Sequence, residues 1–268
     1  MKILVIGGKG FLGRRVCKYL EKPFTMDRSK GKDNHVRGSL EDLALLKKII
    51  PEFDVIVNLV GLSPLKNPKG TSYKDVHIKG VRNLLFSMTS KQRLIQVSAL
   101  GASSESDAEY LRTKGKAEDL IKNSGKDYCI VRPSFLFGKD NEFFRTLDIA
   151  KHFWFFPRIK TKMQPIFVDD VAKIISKACT KKIRKKELEL GGSKVYSIFD
   201  VARLYTHRTL IPIPWFLFKA SYWLVSRTRL FGITPEQYKI LLHDNICKKN
   251  NAQDYLKLEE FDEWVEKI

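Results

Sequence analysis

The opening thirteen residues constrain this chain more than any other stretch. Met1-Lys2-Ile3-Leu4-Val5-Ile6 runs directly into Gly7-Gly8-Lys9-Gly10-Phe11-Leu12-Gly13. A short apolar run of this kind is a buried parallel strand, and glycines at 7, 10 and 13 suit a sharp turn from that strand into a helix. The first glycines permit the turn and let the backbone approach a pyrophosphate. The last lets helix and strand pack closely, and the helix N-terminus supplies N–H groups and a positive dipole end. Gly7, Gly8, Lys9, Gly10, Phe11, Leu12 and Gly13 are therefore candidate dinucleotide-binding residues. The apolar run is too short for a secretory signal.

The same alternation continues down the chain. Apolar runs at 2–6, 24–27, 54–60, 94–97 and 128–131 read as strands, and the periodic segments 11–20, 40–50, 76–88 and 108–123 read as helices. Strand, helix, strand at this spacing predicts an α/β fold, a Rossmann-type doubly wound parallel sheet over residues 1–180. After Lys186 the rhythm changes. Ser197 with Asp200 opens a helix, Pro212 and Pro214 precede an aromatic helix over 215–225, and Thr234-Pro235-Glu236-Gln237 is a capping box with proline at the first helical position. Residues 181–268 are expected to form a small, mostly helical C-terminal subdomain for substrate, membrane or partner contact.

Lys and Arg exceed Asp and Glu by 19. Such a surplus draws anions: dinucleotides, nucleic acid or an anionic membrane face. Nothing in the chain reads as a helix-turn-helix, a zinc finger or an aromatic RNA-binding sheet, so nucleic acid is the least favoured partner. Cys17, Cys129, Cys179 and Cys247 are scattered without a CxxC pair, which fits a reducing compartment and neither a disulfide framework nor a metal site. No apolar stretch reaches spanning length, and the expected location is cytoplasmic, at most peripheral to a membrane.

Asp27 lies twenty residues after Gly7, at the end of the second predicted strand. A carboxylate there accepts the adenosine ribose hydroxyls and favours NAD, whereas the guanidinium of Arg28 beside it suits a 2′-phosphate and favours NADP. Both readings stand. Farther on, Tyr110 and Lys114 are four apart on one helix face, and Ser98 follows a strand at the carboxyl edge of the sheet, where such folds bind ligands. A lysine beside a phenol is expected to lower its pKa toward neutrality, making Tyr110 a proton donor or acceptor. Lys114 can also hydrogen-bond the nicotinamide ribose, and Ser98 the substrate oxygen. Ser98, Tyr110 and Lys114 are the candidate catalytic residues.

The glycine pattern, Asn58-Leu59-Val60-Gly61 and Tyr110-xxx-Lys114 together resemble the short-chain dehydrogenase/reductase superfamily. Four further segments, beginning at Val97, Tyr110, Val131 and Gln164, fall in the order of one atypical branch. So does the tail from Ile213-Pro214 through Thr234-Pro235-Glu236-Gln237 to Asp244-Asn245. In that respect the chain is similar to the NAD(P)H-binding accessory subunit family of respiratory complex I and its prokaryotic epimerase/dehydratase-like relatives. The resemblance implies a bound NAD or NADP, with Leu40, Val60, Gly61 and Pro133 joining the glycine loop, Asp27, Arg28 and Lys114 as cofactor contacts. It also implies one of two activities. The first is oxidoreduction at a carbonyl or alcohol carbon, for which the aromatic residues of the C-terminal part point to an apolar or membrane-derived substrate as one option. The second is a non-catalytic accessory or assembly role in a membrane respiratory complex. Two departures stand out: His77 where extended members carry Asn, and Ser39 in place of an acid, which leaves Glu41 and Asp42 as adenine-side candidates.

Phe153-Trp154-Phe155-Phe156 sits among Lys151, Arg158, Lys160 and Lys162, and Trp215, Phe216, Phe218, Tyr222 and Trp223 crowd a segment flanked by Lys219 and Arg227. Rings beside cations suit an anionic membrane surface or a membrane complex. The same rings serve equally to pack the subdomain core or line a substrate pocket.

Overall fold

The computed structural model describes residues 1–31, 33–64, 70–141, 143, 144, 147, 148, 151, 154–180, 185–214, 216, 217 and 235–268. The predicted aromatic helix at 215–225 lies outside them apart from Phe216 and Leu217, as do Phe153 and Thr234.

Seven parallel strands form the central sheet. The first six are β1 (Ile3–Ile6), β2 (Phe24–Asp27), β3 (His35–Arg37), β4 (Val55–Asn58), β5 (Arg93–Val97) and β6 (Asp127–Pro133); the edge strand Lys186–Leu190 pairs with β6. Their spatial order is Lys186–Leu190, β6, β5, β4, β1, β2, β3. The chain thus builds outward from β1 in one direction and returns to build from β4 in the other. The crevice between the carboxyl ends of β1 and β4 is the switch point where such sheets take ligands. Lys186–Leu190 extends the main sheet past residue 180.

Strand periodicity sorts the core. Ile3 and Val5 face one layer, with Leu12 and Val16 of helix α1 (Phe11–Lys18) and Val171, Ile174 and Ile175 of the helix Val168–Thr180. Leu4 and Ile6 face the other, with Leu46 of α2 (Leu43–Ile49), Val81 and Leu84 of α3 (Gly80–Ser87), and Ile121 of α4 (Glu109–Lys122). Each such fully buried side chain contributes roughly 1.5–3 kcal/mol. Both faces covered is what a parallel sheet of near-continuous apolar strands requires. A π-helical stretch, Lys74–Lys79, leads into α3.

A third core is aromatic. Phe137, Phe144, Tyr205, Phe261 and Trp264 pack ring against ring, for example Phe144 on Tyr205 at 4.7 Å and Phe137 on Phe261 at 5.3 Å. The helix Ile198–Thr206 contributes Val201, Ala202 and Tyr205, and opens with the reciprocal Ser197–Asp200 capping box that the sequence predicts. Short strand pairs accompany these helices: Phe155–Pro157 with Ile211–Ile213, and Lys162–Met163 with Tyr196–Ser197. Among the described residues, no helix is long and apolar enough to cross a membrane.

Candidate functional site

The glycine loop leaves β1 at the switch point. Gly7 adopts φ +86°, the left-handed region open to glycine, and its N–H donates to the Met26 carbonyl at 2.9 Å. A Cβ on Gly13 would stand 2.1 Å from the Gly7 carbonyl oxygen and 2.7 Å from the Gly8 carbonyl carbon, so only glycine lets α1 seat on the turn. Gly10 is the N-cap of α1 and brings no side chain to it. The first-turn N–H groups are thereby left for an anion. Leu12 is buried under the loop, and Phe11 packs against the same core.

Asp27 ends β2 beside this loop. Its carboxylate accepts the Lys9 backbone N–H at 3.3 Å, and burial raises its pKa against the pull of Lys9 and His35. The Lys9 ammonium reaches over to Ser29 Oγ at 3.0 Å and donates to the Lys30 carbonyl. Arg28 lies at the rim and pairs with Glu41 at 3.3 Å. Glu41 is therefore a partner of Arg28, and Asp42 caps α2 by accepting the Leu45 N–H at 2.9 Å. Leu40 is buried in the second core layer, against Gly80. Pro133 closes β6 and its carbonyl accepts the Leu100 N–H at 3.0 Å.

Across the crevice, Val60 abuts Gly7, 3.4 Å from where its Cβ would be. A Cβ on Gly61 would meet Lys114 Nζ at 3.0 Å and His77 Nε2 at 3.5 Å. The Lys114 ammonium donates to the Val97 carbonyl at 3.2 Å. Burial brings its pKa down to about 8, against the pull of Glu118 one helical turn on. His77 joins the loop after β4 to α4. The Leu62 N–H donates to Nε2 at 3.1 Å, which leaves the ring proton on Nδ1 to donate to Thr113 Oγ1 at 2.9 Å. Thr113 then donates to the Tyr110 carbonyl at 3.1 Å. Burial, with Lys114 nearby, drops the His77 pKa to about 2, so this imidazole is a neutral strut.

The Tyr110 ring lies between Tyr73 at 5.9 Å and His77 at 5.8 Å. Burial, with the Tyr73 phenol adding to it, pushes Tyr110 up to about 12. This corrects the expectation that Lys114 lowers it: desolvation and the Tyr73 phenol set the shift, and the Lys114 ammonium is directed at the Val97 carbonyl. Gly115 is why α4 comes so close. A Cβ there would stand 2.2 Å from the Ser103 carbonyl carbon, so the helix lies directly on the loop after β5. Ser98, in that loop's first position, is buried, and its Oγ has no hydrogen-bond partner among the described residues.

Two contributors escape the sequence reading. Glu236, on the helix Pro235–Leu241, accepts the Tyr110 N–H, and Ile240 of that helix packs with Tyr110, Ala99 and Leu111. Asn245 ties down the chain just past β6: its Oδ1 accepts from Ser134 Oγ at 2.6 Å and from the Phe135 N–H at 3.0 Å. Only the resemblance of the tail segments gave a signal for either residue.

The residues present fit a nicotinamide dinucleotide. The turn that no Cβ would tolerate, the uncapped helix N-terminus, the buried ammonium and the orphaned Ser98 hydroxyl all lie along the carboxyl end of the sheet. Comparison with known proteins agrees. The model of the "NAD dependent epimerase/dehydratase family" matches residues 3–191. Among curated proteins, the chain is 31% identical over 263 residues to NADH dehydrogenase [ubiquinone] 1 alpha subcomplex subunit 9, mitochondrial, of Rattus norvegicus, covering 86% of this chain and 67% of the rat protein. It is 26% identical to the NADH-ubiquinone oxidoreductase 40 kDa subunit of Neurospora crassa, over 78% of this chain and 62% of that one. Among solved structures, a nucleoside-diphosphate-sugar epimerase from Staphylococcus aureus superposes with a TM-score of 0.76 at 14% identity, covering 99% of both chains. The UDP-glucuronic acid 4-epimerase of Bacillus cereus gives 0.71 at 18% identity, over 99% of this chain and 97% of that one. Loop, sheet order and sequence similarity converge: the chain is a nicotinamide-dinucleotide-binding member of the NAD dependent epimerase/dehydratase family.

Proposed function

We propose that the chain is a dinucleotide-dependent oxidoreductase acting at a carbonyl or alcohol carbon. The observation that carries this reading is the buried, partnerless Ser98 hydroxyl at the carboxyl edge of the sheet. A bound dinucleotide supplies the hydride chemistry. Ser98 donates a hydrogen bond to the substrate oxygen. Tyr110, a neutral phenol at physiological pH, gives its proton to that oxygen in the reducing direction. Lys114 holds the nicotinamide ribose hydroxyls and keeps positive charge beside the forming phenolate. Ala99, Leu111 and Ile240 around Tyr110 favour an apolar substrate.

The preferred dinucleotide is NADP. Lys9 and Arg28 flank Asp27, whose carboxylate is already engaged by the Lys9 N–H, and a 2′-phosphate would draw the two cations from their present exposed partners, Ser29 and Glu41. Denaturing the purified protein and identifying the released nucleotide by mass spectrometry tests this directly; recovery of NAD alone overturns it. Tyr110→Phe is expected to abolish turnover in a substrate screen while leaving nucleotide affinity within about twofold. Undiminished activity removes Tyr110 from the chemistry.

A second reading is favoured by the relatives named as respiratory-complex subunits. In it the dinucleotide is a structural element and the protein an accessory part of a membrane complex. A nucleotide that survives purification, does not exchange with added NADPH and is never oxidised supports this reading over the first.

A further inference from the structure

Eleven large apolar side chains are the most exposed among the described residues, and five of them lie in two short segments: Trp154, Phe155, Ile211, Phe216 and Leu217. Trp154 is 73% exposed and Phe216 70%. The fold brings these segments together. Phe155–Pro157 and Ile211–Ile213 form a two-stranded parallel ribbon in which Phe155 is paired with Ile211 and Pro157 with Ile213, so both pairs face the same way. Phe156 turns to the opposite side and packs on Phe199 at 6.4 Å, which fixes the ribbon to the aromatic core. The Ile211 N–H donates to the Trp154 carbonyl at 2.8 Å and the Arg158 N–H to the Ile213 carbonyl at 2.9 Å, closing both ends. The ribbon therefore presents Trp154 and Ile211 at an exposed surface.

The chain segments that form and flank the ribbon carry cations and no carboxylates of their own, although the tail brings Asp244 to the Lys162 N–H at 2.8 Å. Residues 149–168 and 201–235 contain no Asp or Glu, whereas Arg158, Lys160, Lys162 and Arg208 are all exposed beside the ribbon in sequence. We propose that this ribbon and its flanking cations form a docking face for an anionic lipid bilayer. Tryptophan and phenylalanine suit the headgroup boundary, and lysine and arginine meet lipid phosphates just above it. The excess of cations over carboxylates in these segments sets this face apart from the mixed-charge rim of a protein interface. A second copy of this chain, itself carrying a surplus of 19 positive charges, would set like charge against like. None of the ribbon residues is among the candidate dinucleotide contacts, and the test does not depend on that site.

The test is co-sedimentation at low salt with phosphatidylcholine vesicles, with and without phosphatidylserine. The protein is expected to sediment with the phosphatidylserine vesicles only, and progressively less as salt rises. Each basic side chain near an anionic surface contributes roughly fivefold in partitioning. The double variant Arg158→Glu, Lys160→Glu is therefore expected to bind at least about 25-fold more weakly. Trp154→Ala with Ile211→Ser removes the salt-resistant part. These side chains are exposed, so unchanged melting and circular dichroism are expected and certify the fold. Lys48→Glu, on an exposed position of α2, serves as the charge control. No binding to phosphatidylserine vesicles at low salt overturns the proposal. So does equal binding to both vesicle types, or equal loss from Lys48→Glu and from a single ribbon charge reversal. A dimer in ultracentrifugation that Trp154→Ala, Ile211→Ser converts to monomer assigns the face to a second copy instead.

Discussion

Glu236 accepts the Tyr110 backbone N–H at 2.7 Å although the two residues lie 126 positions apart. Helix α4 opens from Ala108, whose side chain offers no cap, so its first-turn N–H groups need an acceptor from elsewhere. Glu236 supplies one oxygen and also a negative charge at the positive end of the helix dipole. The same C-terminal segment engages the residue just before α4: His243 Nε2 lies 2.8 Å from Asp107 Oδ1, and Lys239 donates to the Asp107 carbonyl at 3.3 Å. The helix turn that carries Tyr110 is therefore held from the far end of the chain. Glu236→Ala is expected to lose about 1–2 kcal/mol of stability, the scale of a lost N-cap, and Glu236→Gln about half of that. Urea unfolding gives the magnitude. Hydrogen exchange at the Tyr110 amide gives the location, and unchanged protection there sinks the idea.

His77 makes a separate demand at acidic pH. Its folded pKa is about 2 against 6.5 in the unfolded chain, so below 6.5 the unfolded state takes up a proton that the folded state refuses. Stability from this group is complete above pH 6.5 and is lost as pH falls, by about 2 kcal/mol at pH 5. His77→Asn is expected to start less stable at pH 7.5, because the Leu62–His77–Thr113 link is broken, and then to lose less on acidification. Parallel melting curves for the two proteins between pH 7.5 and 5 would show that the imidazole does not titrate in this way.

The parts of this structure that depend on neighbours in sequence were legible, and those that depend on distant partners were not. Gly7 to Gly13, the strands β1 and β2, Asp27 at the strand end and the Tyr110–Lys114 spacing all follow from local pattern. The strand His35–Arg37 is three residues long on an exposed edge, and Lys186–Leu190 alternates charge with leucine. Neither makes an apolar run, so neither announces a parallel strand. Glu236 and Asn245 read as ordinary polar residues of a tail until the fold sets them beside Tyr110 and Ser134. The Tyr110 pKa went the other way for the same reason: spacing reveals the lysine but not the burial around the phenol.

Lys114 trades stability for binding. Its pKa drops from 10.5 to about 8 in the fold, so below pH 8 the buried ammonium carries a penalty on the order of 3 kcal/mol. That penalty is relieved as pH rises from 8 to 10.5, where the folded state loses its proton first. Lys114→Met is therefore expected to melt higher than the parent at pH 7, with the gap closing toward pH 10.5. Nucleotide affinity is expected to fall at least tenfold in the variant, and in the parent to decline as pH passes about 8. Fluorescence titration with NADPH across pH 6.5–9.5 reads both effects. An affinity indifferent to pH and to the substitution removes Lys114 from the ribose.

Two glycines of the loop separate folding from binding. At Gly13 an added methyl would meet the backbone of Gly7 and Gly8, at 2.1 and 2.7 Å, and neither atom can swing aside. Gly13→Ala must push α1 away from the turn, at the roughly 1–3 kcal/mol typical of overpacking, and the anion site is distorted with it. At Gly10 the added methyl meets only the Gly7 carbonyl oxygen, at 3.2 Å, and φ is −68°, ordinary for alanine. Gly10→Ala should therefore fold almost as well as the parent. It nevertheless places a methyl at the N-cap of α1, where a pyrophosphate needs the backbone bare. The expected pattern is a lower melting temperature and lost nucleotide binding for Gly13→Ala, against a near-parental melting temperature and at least about tenfold weaker binding for Gly10→Ala. If Gly10→Ala binds NADPH as the parent does, the dinucleotide does not lie on the α1 N-terminus and the glycine loop is a structural turn alone.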